Sequence, residues 1–398
     1  MQKELLKAVF RSLEGSPFAV TYWDGQTELF GNGESTQPPF TIIFREPLDV
    51  REMFSTPETS FGEAYIDQKI DVEGDFTALL NLLIENGNLF RRESGRQNLF
   101  QRLAMGRQAD LEETEAEIAK HEYDPENDFF KLWLDDTLSF SCAYFKSEGD
   151  SLEQAQNQKI EYILKKMQLK EGETLLDIGS GWGRLIVSAA RDFGVKTLGI
   201  TLSKQQEAET KKLIAEEGLE GKADVRVADY RDLAVEGHSF DKIVSVGMFK
   251  YVGRENIEWY FKCLKKMLKP EGLSLMHTIN RPREGPLNPW LKRHVIPWGY
   301  VPSLREIIWQ LPEHSFHLID AESLRNHYAM TTACWAENFE KVAGQVRARY
   351  GERFVRMWRL YLVGCSASFI SSGLDVHQLL FSRGLCSDLP LTRDYLYR

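Results

Sequence analysis

The feature that most constrains this chain is Leu175–Gly183 (LLDIGSGWG), an apolar segment running into three alternate glycines. Thr174–Ile178 reads as a strand and Leu185–Phe193 as a helix, so the glycines form a strand-to-helix turn. The alternation continues. Val195–Thr201, Ala223–Val227, Phe240–Val246 and Gly272–Thr278 read as strands, with Gln205–Glu217 and Ile257–Leu268 as helices between them. Strands separated by helices predict a doubly wound, mostly parallel α/β sheet. A longer helical region is expected over roughly 303–382.

At 398 residues the chain exceeds one ordinary core, and two or three domains are the prior. Residues 1–90 read as a small α+β domain. Phe18–Trp23 and Phe40–Phe44 are its strands, Asp24-Gly25 a turn and Phe76–Glu85 a helix. Residues 91–120 read as a polar linker followed by a charged helix, and 121–398 as the third segment. The opening residues MQKELLKAVFRSLEG lack the apolar core of a secretory leader. No apolar run is long enough to span a bilayer. Five scattered cysteines without CxxC spacing argue against zinc and against a disulfide framework, so no metal and a reducing cytoplasm are expected.

The net charge of −10 is uneven. Residues 1–90 hold 6 basic and 15 acidic side chains, a net −9, and residues 341–398 hold 9 and 4, a net +5. No basic stripe interleaved with aromatics appears, so nucleic acid is not an expected partner. The basic stretches suit an anionic membrane surface or a plainly solvated face.

The turn narrows the ligand. Gly179, Gly181 and Gly183 give GxGxG, not the GxGxxG of dinucleotide sites, and Asp177 sits just before them. The acid that a dinucleotide ribose requires about 20 residues on is missing. Thr201, Ser203 and Gln206 stand there instead, two hydroxyls and an amide able to bind a ribose and an amino acid. S-adenosylmethionine is the expected cofactor, and a bare structural turn is the alternative. Asp177 can orient the turn or reach an ammonium group. Asp229 and Tyr230 end the third strand, where an adenine would lie, or Asp229 is an ordinary turn residue.

Several stretches together resemble the cyclopropane fatty acid synthase family, which includes the mycolic acid cyclopropane synthases. They are HEYDPENDFFKLWLDDTLSFSCAYF (121–145), SLEQAQNQK (151–159), LLDIGSGWG (175–183), GITLSKQQ (199–206), FDKIVSVGMFKYVG (240–253), LMHTIN (275–280), LRNHYAMTTACW (324–335) and RMWRLYL (356–362). SFGEAYIDQKIDVEGD (60–75) resembles the family's N-terminal domain. The resemblance implies a Rossmann-like S-adenosylmethionine methyltransferase fold. It implies transfer of the methyl carbon to the cis double bond of a phospholipid acyl chain, with loss of a methyl proton closing a cyclopropane ring. A weakly nucleophilic alkene demands positioning, a dry aromatic pocket and a base beside the methyl carbon.

By motif position, the resemblance places Phe140 and Ser141 on the cofactor, with Phe140 lacking the family's phenolic hydroxyl. It places the three glycines on the methionine portion and Gln206 on the ribose. It places Cys142, His277, Ile279 and Tyr328 around a bound bicarbonate that serves as base, Cys142 acting through its backbone N–H. Cys365 reads as a small buried residue. The family's glutamate in this set is Lys250 here, a cationic donor in place of an acceptor. That substitution leaves three readings: a synthase, a methyltransferase with another acceptor, and a non-catalytic lipid-binding relative. The resemblance also implies reversible contact with the membrane surface and a homodimer. Trp290–Trp298 (WLKRHVIPW) is a candidate docking segment. Arg353–Leu362 is a second, although its apolar stripe is the commoner mark of a core face.

Overall fold

A computed structural model describes residues 2–32, 37–49, 53, 57–87 and 127–397. The expected linker and charged helix at 91–120, and residues 121–126 of the first motif, lie outside the described residues. The chain divides into two compact units. One holds the residues up to 87 with 287–297 and 335–373, and the other holds 127–286, 298–334 and 374–397. These units do not follow the linear boundaries read from the sequence, because two later segments pack with the N-terminal residues.

The first unit begins with helix α1 (Gln2–Phe10), strands β1 (Phe18–Thr21), β2 (Thr27–Phe30) and β3 (Phe40–Phe44), helix α2 (Pro57–Ile66), strand β4 (Ile70–Gly74) and helix α3 (Phe76–Glu85). The sheet order is β2-β1-β3-β4, with β1 and β3 parallel. Strand β3 alternates as a half-buried strand must: Phe40, Ile42 and Phe44 point in. Phe18 stacks on Phe40 with centroids 5.5 Å apart, and Phe10 packs edge-on against Phe18.

The second unit opens with α4 (Asn127–Lys131) and α5 (Leu152–Lys166), the latter closed at its start by a Ser151/Gln154 capping box. There follow β5 (Thr174–Ile178), α6 (Arg184–Phe193), β6 (Lys196–Thr201), α7 (Lys204–Glu216), β7 (Ala223–Val227), α8 (Tyr230–Glu236), β8 (Phe240–Val246), α9 (Ile257–Met267) and β9 (Leu268–Asn280). Helix α10 (Pro289–His294) belongs to the first unit. The chain then forms α11 (Leu304–Glu313), β10 (Phe316–Ser323), α12 (Arg325–Ser371) and β11 (Asp375–Arg383). Helix α12 is two helices meeting at Gly351, and its residues from Trp335 on belong to the first unit.

The sheet order is β10-β11-β9-β8-β5-β6-β7. Five strands are parallel, and β11 and β10 join antiparallel at one edge. This is the expected Rossmann-like doubly wound sheet. The region expected to be helical over 303–382 is corrected: it contains two strands, β10 and β11, as well as helices. In β11 Val376 and every residue from Gln378 to Ser382 are buried, so the strand is covered on both faces and shows no apolar–polar alternation. The chain leaves β5 for β6 on one side and returns to β8 on the other. The crevice beyond the C-terminal ends of β5 and β8 is therefore the topological switch point, where such sheets bind ligands.

The two candidate docking segments differ in exposure. Trp290 is buried, and a Cβ on Gly62 of α2 would stand 2.5 Å from its ring, so it cannot enter a lipid surface. Trp298 stays exposed. In α12 Phe354, Met357, Trp358 and Tyr361 are buried, the core-facing stripe that the spacing favoured.

Candidate active site

The glycine turn leaves β5 with all three glycines in the left-handed region, at φ of 84°, 55° and 80° for Gly179, Gly181 and Gly183. The N–H groups of Gly179 and Ser180 both donate to the Ile200 carbonyl, at 2.9 and 3.0 Å, which ties the turn to β6. A Cβ on Gly183 would stand 2.2 Å from the Thr210 methyl, so α6 lies as close to α7 as a glycine permits. Beside Gly181 there is open space. The turn is thus a cradle with one uncovered edge, and it fits a ligand that lies against the backbone.

Beyond β6, Thr201 donates to Gln206 Oε1 at 2.6 Å, and Ser203 caps α7 by accepting from the Gln206 N–H at 3.3 Å. These three residues form one polar rim at the edge of the crevice. Asp229 caps α8 and accepts from Arg231 Nε and Nη2 at 2.9 and 2.6 Å. Its structural role is therefore evident, and an adenine amino group there would compete with a guanidinium. Tyr230 is half-buried and meets Tyr260 edge-on at 5.2 Å. Burial pushes its phenol up to about 12.

Asp177, the next-to-last residue of β5, is a buried carboxyl with Oδ1 lacking any hydrogen-bond partner. Burial pushes it up to about 7, against the pull of the Lys159 ammonium. Lys159, on α5, is buried as well and donates to Ser141 Oγ at 3.0 Å. Burial pushes it down to about 8, opposed by Asp135, Cys142 and Asp177. On the same helix, Gln156 Nε2 donates to the Ser141 carbonyl at 3.0 Å. Next to this serine, Phe140 joins Phe130, Trp133 and Trp182 in an aromatic wall, with Phe140 5.4 Å from Phe130 and Trp182 5.6 Å from Phe130.

Cys142 is buried, and its thiol points to the carbonyls of Ala143 and Leu324 at 3.2 and 3.8 Å. Burial pushes the thiol far above its ordinary range, so it stays neutral and unreactive. The Leu324 carbonyl also accepts from the Tyr328 N–H at 3.0 Å, which brings the start of α12 to Cys142. Tyr328 is buried, and Ile279 is half-buried on β9, in register with Val376.

His277 is buried on β9 between Val246 of β8 and Gln378 of β11. Burial pushes its imidazole down to about 3, with the nearby Lys159 and Lys166 ammonium groups and His327 acting in the same sense. The ring is neutral. Gln378 Nε2 lies 3.3 Å from Nδ1. With the Gln378 amide in this orientation its nitrogen donates, Nδ1 accepts and the ring proton sits on Nε2. That Nε2 has no partner. A buried N–H donor without an acceptor fits an anion such as bicarbonate.

Lys250 lies on a short turn after β8 and is buried, with Nζ 4.9 Å from the ring centroid of the exposed Tyr251. No carboxylate among the described residues pairs with it. The structure ties Lys159 to Ser141, and the charge of that lysine acts on the buried Cys142, Asp177 and His277. Lys250 lies on the turn that follows Gly247, whose N–H donates to the His277 carbonyl at 2.8 Å. Lys159, Gln156 and Gln378 carry polar contacts that the sequence reading did not assign. Gln156 and Lys159 had a signal: they fall three residues apart inside the buried stripe Leu152, Ala155, Ile160, Ile163. Gln378 had none, since its strand was read as helix.

The sequence profile described as mycolic acid cyclopropane synthetase matches residues 110–379, and a domain of unknown function matches residues 5–95. A probable fatty acid methyltransferase of Pseudomonas putida is 35% identical over 96% of both chains. The cyclopropane-fatty-acyl-phospholipid synthase of Escherichia coli is 38% identical over 69% of this chain and 70% of its own. The structure of the cyclopropane synthase MmaA2 from Mycobacterium tuberculosis aligns with a TM-score of 0.62 at 32% identity, covering 69% of this chain and all of that one.

Proposed function

Because this chain belongs to the mycolic acid cyclopropane synthetase family, we propose that it transfers the methyl carbon of S-adenosylmethionine to the cis double bond of an unsaturated phospholipid acyl chain, forming a cyclopropane ring. That it is an S-adenosylmethionine-dependent methyltransferase is settled by the family. The acceptor and the product are the proposal.

When bound, S-adenosylmethionine supplies an electrophilic methyl group. The chain's own residues then have three tasks. Asp177, Ser141 and the glycine turn would hold the methionine portion, Thr201, Ser203 and Gln206 the ribose, and Tyr230 with Asp229 the adenine. Phe130, Phe140, Trp133 and Trp182 would keep water from the cationic centre left on the acyl chain. His277 would hold the proton acceptor. The observation that carries the reading is the unpartnered Nε2–H of a neutral, buried His277. A ring already protonated at Nε2 is a donor there, so it anchors an oxyanion base and does not itself remove the methyl proton. Bicarbonate, held by His277 with Cys142, Ile279 and Tyr328, suits that role.

A second reading is favoured by Lys250: methyl transfer that ends as a methylated chain, or on another acceptor. An ammonium replaces a carboxylate at this position and weakens any neighbouring oxyanion as a base by stabilising its charge. The probable fatty acid methyltransferase relative spans nearly the whole chain. In either case the acyl chain must be met at a membrane surface, and no helix among the described residues is long and apolar enough to cross one. The test is incubation with methyl-labelled S-adenosylmethionine and vesicles of unsaturated phospholipid, then mass spectrometry and NMR of the fatty acids. Label in a ring supports the first reading, label in a methyl branch the second, and no labelled fatty acid sinks both. Lys250→Glu should move product from branch towards ring where a branch is found.

A further inference from the structure

The segment that carries Cys142 is held against the start of α12 by three contacts. The Cys142 thiol faces the Leu324 carbonyl at 3.8 Å. The Ala143 N–H donates to Thr331 Oγ1 at 3.0 Å, and that hydroxyl donates to the His327 carbonyl at 2.6 Å. The Phe145 N–H donates to His327 Nδ1 at 3.0 Å. Between the last two, the Tyr144 N–H donates to the Ala155 carbonyl of α5 at 3.0 Å. The His327 ring also lies flat on Tyr144, with centroids 4.8 Å apart and planes 13° apart. Tyr144 in turn lies on Tyr162 of α5 at 4.2 Å, and the Tyr162 hydroxyl donates to Glu322 of β10 at 3.0 Å. The imidazole therefore joins the Cys142 segment, α5 and β10 to the helix turn that carries Tyr328.

A backbone N–H only donates, so the Phe145 bond requires Nδ1 without a proton, and the ring of His327 is neutral. Burial acts in the same sense, pushing this imidazole below its ordinary value against the pull of Glu322. An acceptor and a flat ring face are both in use here, and a neutral imidazole supplies the two in one side chain. We propose that His327 is a positioning residue for the transfer: by accepting from the Phe145 N–H and stacking on Tyr144, its ring fixes the backbone of Cys142 relative to Tyr328. The ring touches neither cofactor nor acyl chain in this role. The inference rests on the reading of Cys142 and Tyr328 as holders of the proton acceptor, and it is the same whether the product is a ring or a branch.

Two substitutions separate the acceptor from the ring. His327→Phe keeps a flat face on Tyr144 and removes the acceptor, and His327→Asn keeps an amide oxygen near the place of Nδ1 and removes the ring. The full-length variants are compared by hydrogen exchange with mass spectrometry, by turnover of methyl-labelled S-adenosylmethionine on unsaturated phospholipid vesicles, and by calorimetry with S-adenosylhomocysteine. In H327F the amides of residues 143–145 should exchange at least about tenfold faster. Its kcat should fall about 10- to 100-fold through misplacement of the site. KM for the cofactor and S-adenosylhomocysteine affinity should stay within about twofold, since the cofactor is held elsewhere. H327N should keep the slow exchange and return kcat to within about fivefold of the unaltered protein.

A folded H327F with unaltered exchange overturns the role of His327. Faster exchange with a normal kcat overturns the reading of Cys142, and the inference with it. Cofactor affinity that falls as far as kcat, or an H327N no better than H327F, shows a merely structural loss and overturns the proposal as well. Tyr328→Phe tests the reading by itself: it leaves the Phe145 bond in place, and full turnover there removes the site that His327 would position. An unaltered protein without turnover on these vesicles is a failure of the acceptor reading, and the exchange arm still judges His327. Should H327F fail to fold, His327→Ala is measured against the same outcomes.

Discussion

Two buried cations, Arg356 in the first unit and Lys159 in the second, are used in opposite ways. Arg356 Nε and Nη2 donate to the carbonyls of Tyr65 and Ile70 at 2.6 and 2.7 Å, and Nη1 reaches Asp71 at 3.3 Å. Its guanidinium also lies 4.1 Å from the Tyr65 ring centroid. Every face of that charge is spoken for by backbone, carboxylate or ring. Lys159 has a single hydrogen bond, to Ser141, and its charge acts on the buried Asp177 and His277, each of which carries a polar atom without a partner. A buried cation matched on all sides specifies how a segment packs. A buried cation facing unmatched groups marks a place where something else completes the set.

The contrast is broken most forcefully at Arg356. Arg356→Met should cost about 3–5 kcal/mol of stability, because two carbonyls lose their donor and Asp71 its buried partner. Urea unfolding would measure it. S-adenosylhomocysteine affinity should be unchanged, and a loss of affinity beyond that explained by unfolding would show that the first unit's cation is not purely architectural.

His277 sharpens the other side through pH. Its folded value lies near 3, below the ordinary 6.5, so between those values the unfolded chain binds the extra proton. Stability from keeping this ring neutral is present above about 6.5 and is lost as pH falls towards 3, a contribution of a few kcal/mol. His277→Gln should flatten that part of the stability profile while abolishing most turnover. An acid limb identical in H277Q would remove His277 as its source. A smaller effect is expected at the turn. Gly183→Ala places a Cβ 2.2 Å from Thr210 at a φ of 80°, which should cost about 1–3 kcal/mol and weaken cofactor binding. Adding Thr210→Ala should return the steric part and leave the backbone part. If G183A binds normally, the close approach of α6 to α7 does not set the cradle.

Much of this was legible in the sequence, and the reasons are local. The strands from β5 to β8 alternate with helices, and each boundary carries a glycine, an acid or a capping hydroxyl. Their limits emerge within a residue or so of the expectation. The turn at Gly179–Gly183 was legible because left-handed backbone leaves glycine little competition. Strand β11 was not legible, since a strand buried on both faces shows no alternation. With it went Gln378, the residue that lies against His277 Nδ1 at 3.3 Å. Lys159 was visible as a lysine on an apolar stripe, but its meaning depends on β5 and β9 arriving beside it, which no helix pattern announces. The two units failed for the same reason: α10 and the later part of α12 join the N-terminal residues through contacts such as Glu63 with His294 at 2.6 Å and Arg356 with Asp71, far apart in sequence.

The smallest expected effect concerns the membrane, and it separates two tryptophans that look equivalent in WLKRHVIPW. Trp290 is 4% exposed and Trp298 61% exposed. If the acyl chain is collected from a bilayer, the exposed indole is the one of the pair able to partition into the interface. Trp298→Ala should then weaken sedimentation with anionic vesicles by roughly fivefold, about 1 kcal/mol of lost apolar burial, with no change in melting temperature. Raising the salt should weaken binding further if basic residues share the docking. Vesicle binding that ignores both Trp298→Ala and salt would move the docking surface elsewhere in the chain. It would leave the buried set around Lys159 untouched, since none of its members needs the lipid to be in place.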